Sequence, residues 1–343
     1  MKQERSVAMR HWILAIVLFF GALGAFGGRP ALRDVRGFDF QPPWASSGRG
    51  IWLERFDSAE YRRLIRLGKQ AFPKMNTLRV WYSLDAWYDN RELAVKNMRA
   101  AGEIIKAEGL WMIPVYFNNW HTVPDFGGIS HEMLKGGNWS APFGAYMTEV
   151  ARALEPLDVV LVHDICNEPL NNCLYWEEGT ARIRDFVAKM AEFLHGVSSA
   201  PVTVGSQAGP WARRTCGVDC DIDLFASAVD VISCHPYLGM GREFGSREKY
   251  LDWIVEKAAR YGKPVLATEC CIGAETEARR VEILRAELVG LSRRGIGFIA
   301  HALTPSPVAD LHAAKPGQGF GYNMPFMSLD GVVRPGHEAF NEY

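Results

Sequence analysis

The chain has 343 residues, of which 48% are hydrophobic and 22% charged, and its formal net charge is −1. This is ordinary globular composition; it excludes a disordered or fibrous chain, and the lack of a basic excess argues against a nucleic-acid partner. Aromatic residues make up 12%, including 11 Trp, so indole rings are available to line a site.

The first 28 residues read as a segment outside the fold. Lys2, Arg5 and Arg10 precede an uncharged run from Trp12 to Gly28. A basic start followed by an apolar stretch is the pattern of an export signal. The run also reaches the roughly 17 residues needed for a membrane anchor. Both readings place residues 29–343 outside the cytoplasm, secreted or periplasmic, either free or held by residues 12–28.

From about residue 30 onward, short apolar runs alternate with amphipathic helices, the signature of βα units around a parallel sheet. Strands are expected at Val35 to Gln41, Thr77 to Trp81, Leu110 to Phe117 and Asp158 to Ile165. Four more are expected at Pro201 to Val204, Val229 to Cys234, Pro264 to Thr268 and Ile296 to Ala302. Helices are expected at Ser58 to Gln70 with Ser58 as N-cap, and at Arg91 to Glu108, Pro142 to Leu154, Thr180 to His195, Arg247 to Tyr261 and Glu275 to Arg293. In the fourth of these, Ile183, Phe186, Val187, Met190 and Leu194 fall on one stripe. Eight strands with intervening helices predict a single (β/α)8 TIM barrel in one domain, 29–343. Seven Cys follow the leader. Export permits disulfides, and Cys216 with Cys220 is the best candidate pair. Cys166, Cys234 and Cys270 read as small buried residues at strand ends. With no CxxC or HExxH spacing, neither a metal nor another cofactor is expected.

The polar residues sit where such a barrel puts its chemistry. Arg79 and Tyr82 lie at strand two. Asn118, Asn119, Trp120 and His121 follow strand three, and Asn167 and Glu168 follow strand four. His235, Pro236 and Tyr237 follow strand six, and Glu269 ends strand seven. All converge on the C-terminal face, where barrel enzymes work. Glu168 and Glu269 are the two Glu that directly end strands. Cleavage of a glycosidic bond by double displacement needs two carboxyl groups about 5 Å apart, one as acid/base and one as nucleophile. Either Glu alone is equally well a solvated turn residue or half of a structural ion pair; it is the pair at matching barrel positions that carries the reading. Trp81, Trp87, Trp120, Trp139, Trp176 and Trp211 fall near strand-to-helix connections, where indole either stacks on sugar or packs loops on the rim.

As a set, the stretches RVW (79–81), NNW (118–120), CNEP (166–169), HPY (235–237) and ATEC (267–270) resemble the clan A glycoside hydrolases, and most of all family 5. The stretch Asn118-Asn119-Trp120 with Phe126-Gly127-Gly128 is similar to the β-mannanase branch. The resemblance runs from about residue 33 to the C-terminus. It implies Glu168 as acid/base and Glu269 as nucleophile, with Arg79 keeping Glu269 ionised and oriented. It further implies Asn167 on the sugar 2-hydroxyl, Tyr237 donating to the nucleophile, and His235, Asn119 and Trp120 at the sugar subsite. Three positions depart from the family pattern. His301 stands where the family usually has a Trp as floor of the cleavage subsite, and is expected to touch substrate. Asn118 to His121 replace a His-rich sequence, and Asp39 stands where Asn is usual. The expected activity is that of a retaining β-glycosidase on a mannan- or glucan-type carbohydrate. A transglycosylase using the same residues, or a sugar-binding barrel without turnover, are the alternatives.

Overall fold

The computed structural model describes residues 28–119, 131–170, 177–209, 220–237, 243–274, 276–307 and 324–343. Its elements run β1 (Arg36–Asp39), α1 (Ser58–Ala71), β2 (Thr77–Trp81), α2 (Leu84–Asp89), α3 (Arg91–Ala107), β3 (Trp111–Asn118), α4 (His131–Lys135), α5 (Ser140–Leu154) and β4 (His163–Asn167). They continue with α6 (Glu177–His195), β5 (Val202–Gly205), α7 (Asp221–Phe225), β6 (Ile232–Cys234), α8 (Arg247–Arg260), β7 (Val265–Cys270), α9 (Glu277–Ser292) and β8 (Gly297–Ala300). A 3-10 turn, His337–Glu342, ends the chain.

The eight strands form one parallel sheet in the order β5-β4-β3-β2-β1-β8-β7-β6. The ends of that order meet. Val202 O accepts from the backbone N–H of Asp230 at 2.8 Å and of Val231 at 3.2 Å, and Thr203 Oγ1 donates to Val231 O at 2.7 Å. The result is the expected (β/α)8 barrel. Most predicted elements fall within two or three residues of their observed bounds. β4 is the exception: it begins at His163 rather than near Asp158, because the preceding apolar run makes only an isolated bridge, Val160 to Met112. The N-cap of α1 is Asp57, not Ser58. Its carboxylate accepts from the backbone N–H of Ala59 and Glu60, and a carboxylate also suits the positive end of the helix.

Register sorts the strand residues into two faces. Gly37 pairs with both Thr77 and Ile299, and Asp39 with Arg79. Thr77 pairs with Trp111 and Arg79 with Ile113. Partners in register share a face, so these residues look inward together. At the base, Trp111, Ile113, Leu266 and Ile299 join Val35, Leu161, Val162 and Val231 in a buried apolar cluster. Outside, the helices pack on the outward-facing strand residues. The predicted stripe of α6, Ile183, Phe186, Val187, Met190 and Leu194, is fully buried.

Among the described residues no helix is long and apolar enough to cross a membrane. The expected signal or anchor, all but Gly28, lies outside the described residues. Cys216 lies outside them too; Cys220 is buried, makes no disulfide with another of the described cysteines, and its Sγ donates to Asp223 Oδ2 at 3.3 Å. Cys166, Cys234 and Cys270 are buried as expected.

Candidate active site

Above the apolar base the barrel interior turns ionic. Arg79 enters from β2 with no exposed surface. A buried guanidinium is tolerated only when its five N–H groups are matched, and here they are shared widely. Nε donates to Asp164 Oδ2 at 2.9 Å. Nη1 donates to Glu269 Oε1 at 2.7 Å and to Asp39 Oδ1 at 3.3 Å. Nη2 donates to Asn167 Oδ1 at 2.9 Å. Its plane also lies over Trp81, 4.4 Å from the ring centroid, a cation–π contact that needs no further donor. Gly205 of β5 makes room for this arrangement. A Cβ there would lie 2.7 Å from Arg79 Nη2 and 3.0 Å from Asp164 Oδ2, while its own N–H donates to Asp164 Oδ1 at 2.8 Å.

Glu269 and Glu168 come from the two strands with irregular register. The shift in β7 falls between Ala267 and Cys270, and that in β4 between Asp164 and Asn167. Such irregularities re-aim side chains. Glu168 in addition has φ 45°, a left-handed conformation that disfavours a residue with a Cβ. Its backbone N–H is tied to Gly205 O at 2.7 Å. The two Glu are 7% and 6% exposed, so both are enclosed yet reach the surface of the site.

Their surroundings differ. Glu269 accepts from Arg79 on Oε1 and from the Tyr237 hydroxyl on Oε2 at 2.5 Å. Burial alone would raise its pKa, but the charges of His235, Arg79 and His301 and the Tyr237 hydrogen bond outweigh burial and lower it to about 2. Glu168 is held by His235, whose Nδ1 lies 2.9 Å from Glu168 Oε1 and 3.4 Å from Glu269 Oε2. His235 Nε2 lies 3.0 Å from Thr268 Oγ1. Burial pushes the His235 pKa down, yet the carboxylates of Glu269 and Glu168 carry it above the ordinary value. Ligand atoms of Glu168, His235 and Glu269 lie within 4.8 Å of one another.

The remaining predicted residues separate. Asn167 lies beside Arg79 and donates through Nδ2 to Asn118 Oδ1 at 3.1 Å. His301, at the end of β8, places Nδ1 2.8 Å from Asp39 Oδ2 and keeps 13% of its side chain exposed. Asn119 is fully buried and donates to Pro169 O at 2.5 Å, while its backbone N–H bonds Asn167 O at 3.0 Å; it braces the ends of β3 and β4. Trp120, Trp176 and Trp211 lie outside the described residues. Trp87 donates to Glu149 Oε2 at 2.7 Å, and Trp139 packs on Phe143 and Phe186, so these two rings hold helices to the rim. Asp164 and Thr268 went unread in the sequence. The sign that would have found Asp164 is a fully buried strand position carrying an acid, four residues before Glu168 and so on the same face of the pleat.

Asp39, Glu269 and His301 also bring ligand-type atoms within 4.8 Å. Their carboxylates are engaged by Arg79, Tyr237 and His301. The third such group, Cys270, Cys271 and Glu287, lies behind β7. There Glu287 accepts from the Cys271 N–H and pairs with Arg247 at 2.8 Å.

A parallel barrel with two enclosed carboxyl groups on strands four and seven defines the class of structure. The sequence matches no family model and no curated protein. Solved structures do match it. GH5_18 from Streptomyces cattleya, in complex with GlcNAc, superposes with a TM-score of 0.70 at 15% identity, over 90% of this chain and 79% of that one. An endo-1,4-β-mannanase from Rhizomucor miehei gives 0.62 at 16% identity, over 92% and 97%. An exo-β-1,4-mannosidase from an Opitutaceae bacterium gives 0.65 at 17% identity, over 89% of this chain; the chain spans 58% of that enzyme's length. These likenesses are of fold, and at that level the resemblance to clan A, family 5 holds.

Proposed function

We propose that this chain is a retaining β-glycosidase, with Glu269 as nucleophile and Glu168 as acid/base. The observation that carries the reading is the asymmetry of two carboxyl groups, each of which offers an oxygen within 4.8 Å of one of the other's. Double displacement needs about 5–5.5 Å between the carboxyl groups, whereas an inverting enzyme leaves about 6.5–9.5 Å for water. Glu269, fixed by Arg79 and Tyr237 and ionised down to about pH 2, is suited to attack the anomeric carbon. Glu168 then gives its proton to the departing oxygen and takes one back from water in the second step. Arg79 and Asn167 hold the nucleophile side, and His235 orients Glu168. Residues 29–343 act as one catalytic domain behind an export segment. The neighbours named as mannanases and mannosidases favour a β-mannan-type substrate over a β-glucan, with His301 at the cleavage subsite.

The test is a pair of variants assayed on β-mannan, β-glucan and matching aryl glycosides. Glu269→Gln should lose activity by a factor on the order of 10⁵ at every pH, as for removal of a covalent nucleophile. Glu168→Ala should keep more activity on aryl glycosides, whose leaving group needs no proton, and azide should restore turnover as a glycosyl azide of retained configuration. Inverted product by NMR would overturn the role of Glu269 as nucleophile. Sugar transfer to an added acceptor in place of hydrolysis would identify a transglycosylase.

A further inference from the structure

The ionic layer holds more carboxylates than one guanidinium can balance. Arg79 donates to Asp39, Asp164 and Glu269, and Glu168 lies close by. Buried anions need matching cations or protons. His235 meets the deficit on one side of Glu269. On the other side stands His301, held by Asp39 at 2.8 Å. Asp39 itself is fully buried and bridges His301 to Arg79, one oxygen to each. Asp39, Glu269 and His301 form a triangle with ligand atoms within 4.8 Å.

We propose that Asp39 and His301 are a positioning pair, in which Asp39 holds the His301 imidazolium beside Glu269 as a second cation that keeps this carboxylate ionised. The kinetic consequence rests on the reading of Glu269 as nucleophile; the charge state does not. An ionised Asp39 only accepts, so Nδ1 carries a proton, and in the imidazolium Nε2 is a second donor at the β8 side of the site. The charged groups that face His301 are Asp39 from β1, Arg79 from β2 and Glu269 from β7; Trp81 presents its ring at 6.5 Å. Arg280 of α9 bonds the His301 backbone carbonyl at 3.2 Å and fixes the strand end. Burial and Arg79 lower the His301 pKa, but the bond to Asp39 and the charges of Asp39 and Glu269 raise it above the ordinary 6.5. Burial raises the Asp39 pKa and the His301 bond with the charges of Arg79 and His301 hold it to about 6, so at neutral pH Asp39 is an ionised acceptor for His301. The imidazolium proton is present at neutral and acid pH, where it opposes protonation of Glu269, and is lost only as pH rises through the elevated His301 pKa.

The charge state can be read without any substrate. Imidazole nitrogen shifts in the ¹⁵N-labelled protein, with His301 assigned through His301→Gln, should show both nitrogens protonated at pH 7. Asp39→Asn should lower the His301 midpoint by about one pH unit or more. His301→Gln should raise the ¹³C-carboxyl midpoint of Glu269, which loses a neighbouring cation. With 4-nitrophenyl β-D-mannoside, His301→Gln should shift the acid limb of kcat/KM upward and leave the alkaline limb, where Glu269 is ionised with or without the imidazolium, in place. A neutral His301 at pH 7, or a Glu269 midpoint unmoved in His301→Gln, overturns the pair. Should Asp39→Asn fail to fold, the wild-type His301 titration alone decides. The expected titrations in a protein that cleaves no glycoside would leave the pair standing and sink the glycosidase reading.

Discussion

At the base of the barrel, Trp111, Ile113, Leu266 and Ile299 fill the interior with hydrocarbon. On β1, β2 and β4, Asp39, Arg79 and Asp164 fill it with charge, all at zero exposure. The two layers adjoin within one sheet, where Arg79 of the charged layer pairs in register with Ile113 of the apolar one. The lower layer gains free energy simply by leaving water. The upper one gains little on balance, since pairing barely offsets the desolvation of each ion. A barrel needs the first layer to fold, whereas the second adds little to stability and orients the carboxyl groups of the proposed site.

This contrast can be broken most forcefully at Arg79. Arg79→Ala should lower activity by about two to three orders of magnitude, the value of a positioned charge at a transition state. It should also destabilise the fold by about 3–5 kcal/mol, because three carboxylates lose their buried partner. Enzyme assay with urea denaturation checks both; near-normal turnover in the folded variant would show that the ionic layer does not serve Glu269. A smaller effect, confined to stability, is expected below. Ile113→Ala should cost about 2–5 kcal/mol of folding free energy and leave kcat of the folded fraction within about twofold of wild type. A large fall in kcat would mean that the lower layer also tunes the site. The finest distinction is in pH. Glu269 titrates at about 2 in the fold against an ordinary value of 4.5. Its contribution is therefore full above 4.5 and declines as pH falls towards 2. Between pH 5 and 3, the stability difference between wild type and Glu269→Gln should shrink by about 2 kcal/mol, while that between wild type and Ile113→Ala stays constant. Parallel pH curves for both variants would deny the ionised state of Glu269.

The alternation of strands and helices was legible because nearly every strand is an apolar run buried on both faces. So were Glu168 and Glu269, since a charge directly ending such a run has few reasons to be there. Asp164 was harder to see, because the apolar residues 159–162 drew the expected fourth strand towards the barrel base and left Asp164 inside it. α2 and α7 escaped notice for want of length: six and five residues carry too few turns to display a period. Asp39 and His301 were each visible as departures from a family pattern. Their contact was not, because 262 positions separate them and only closure of β1 against β8 brings them together.

Glu168 takes a left-handed backbone, φ 45°, at a position where glycine or asparagine would rest without strain. Selection for folding alone would therefore drive this site away from glutamate, and the residue persists against its own conformational preference. A library of this barrel sorted only for expression and thermal endurance would drift towards variants without Glu168, losing the proposed proton donor first while the rest of the molecule improved.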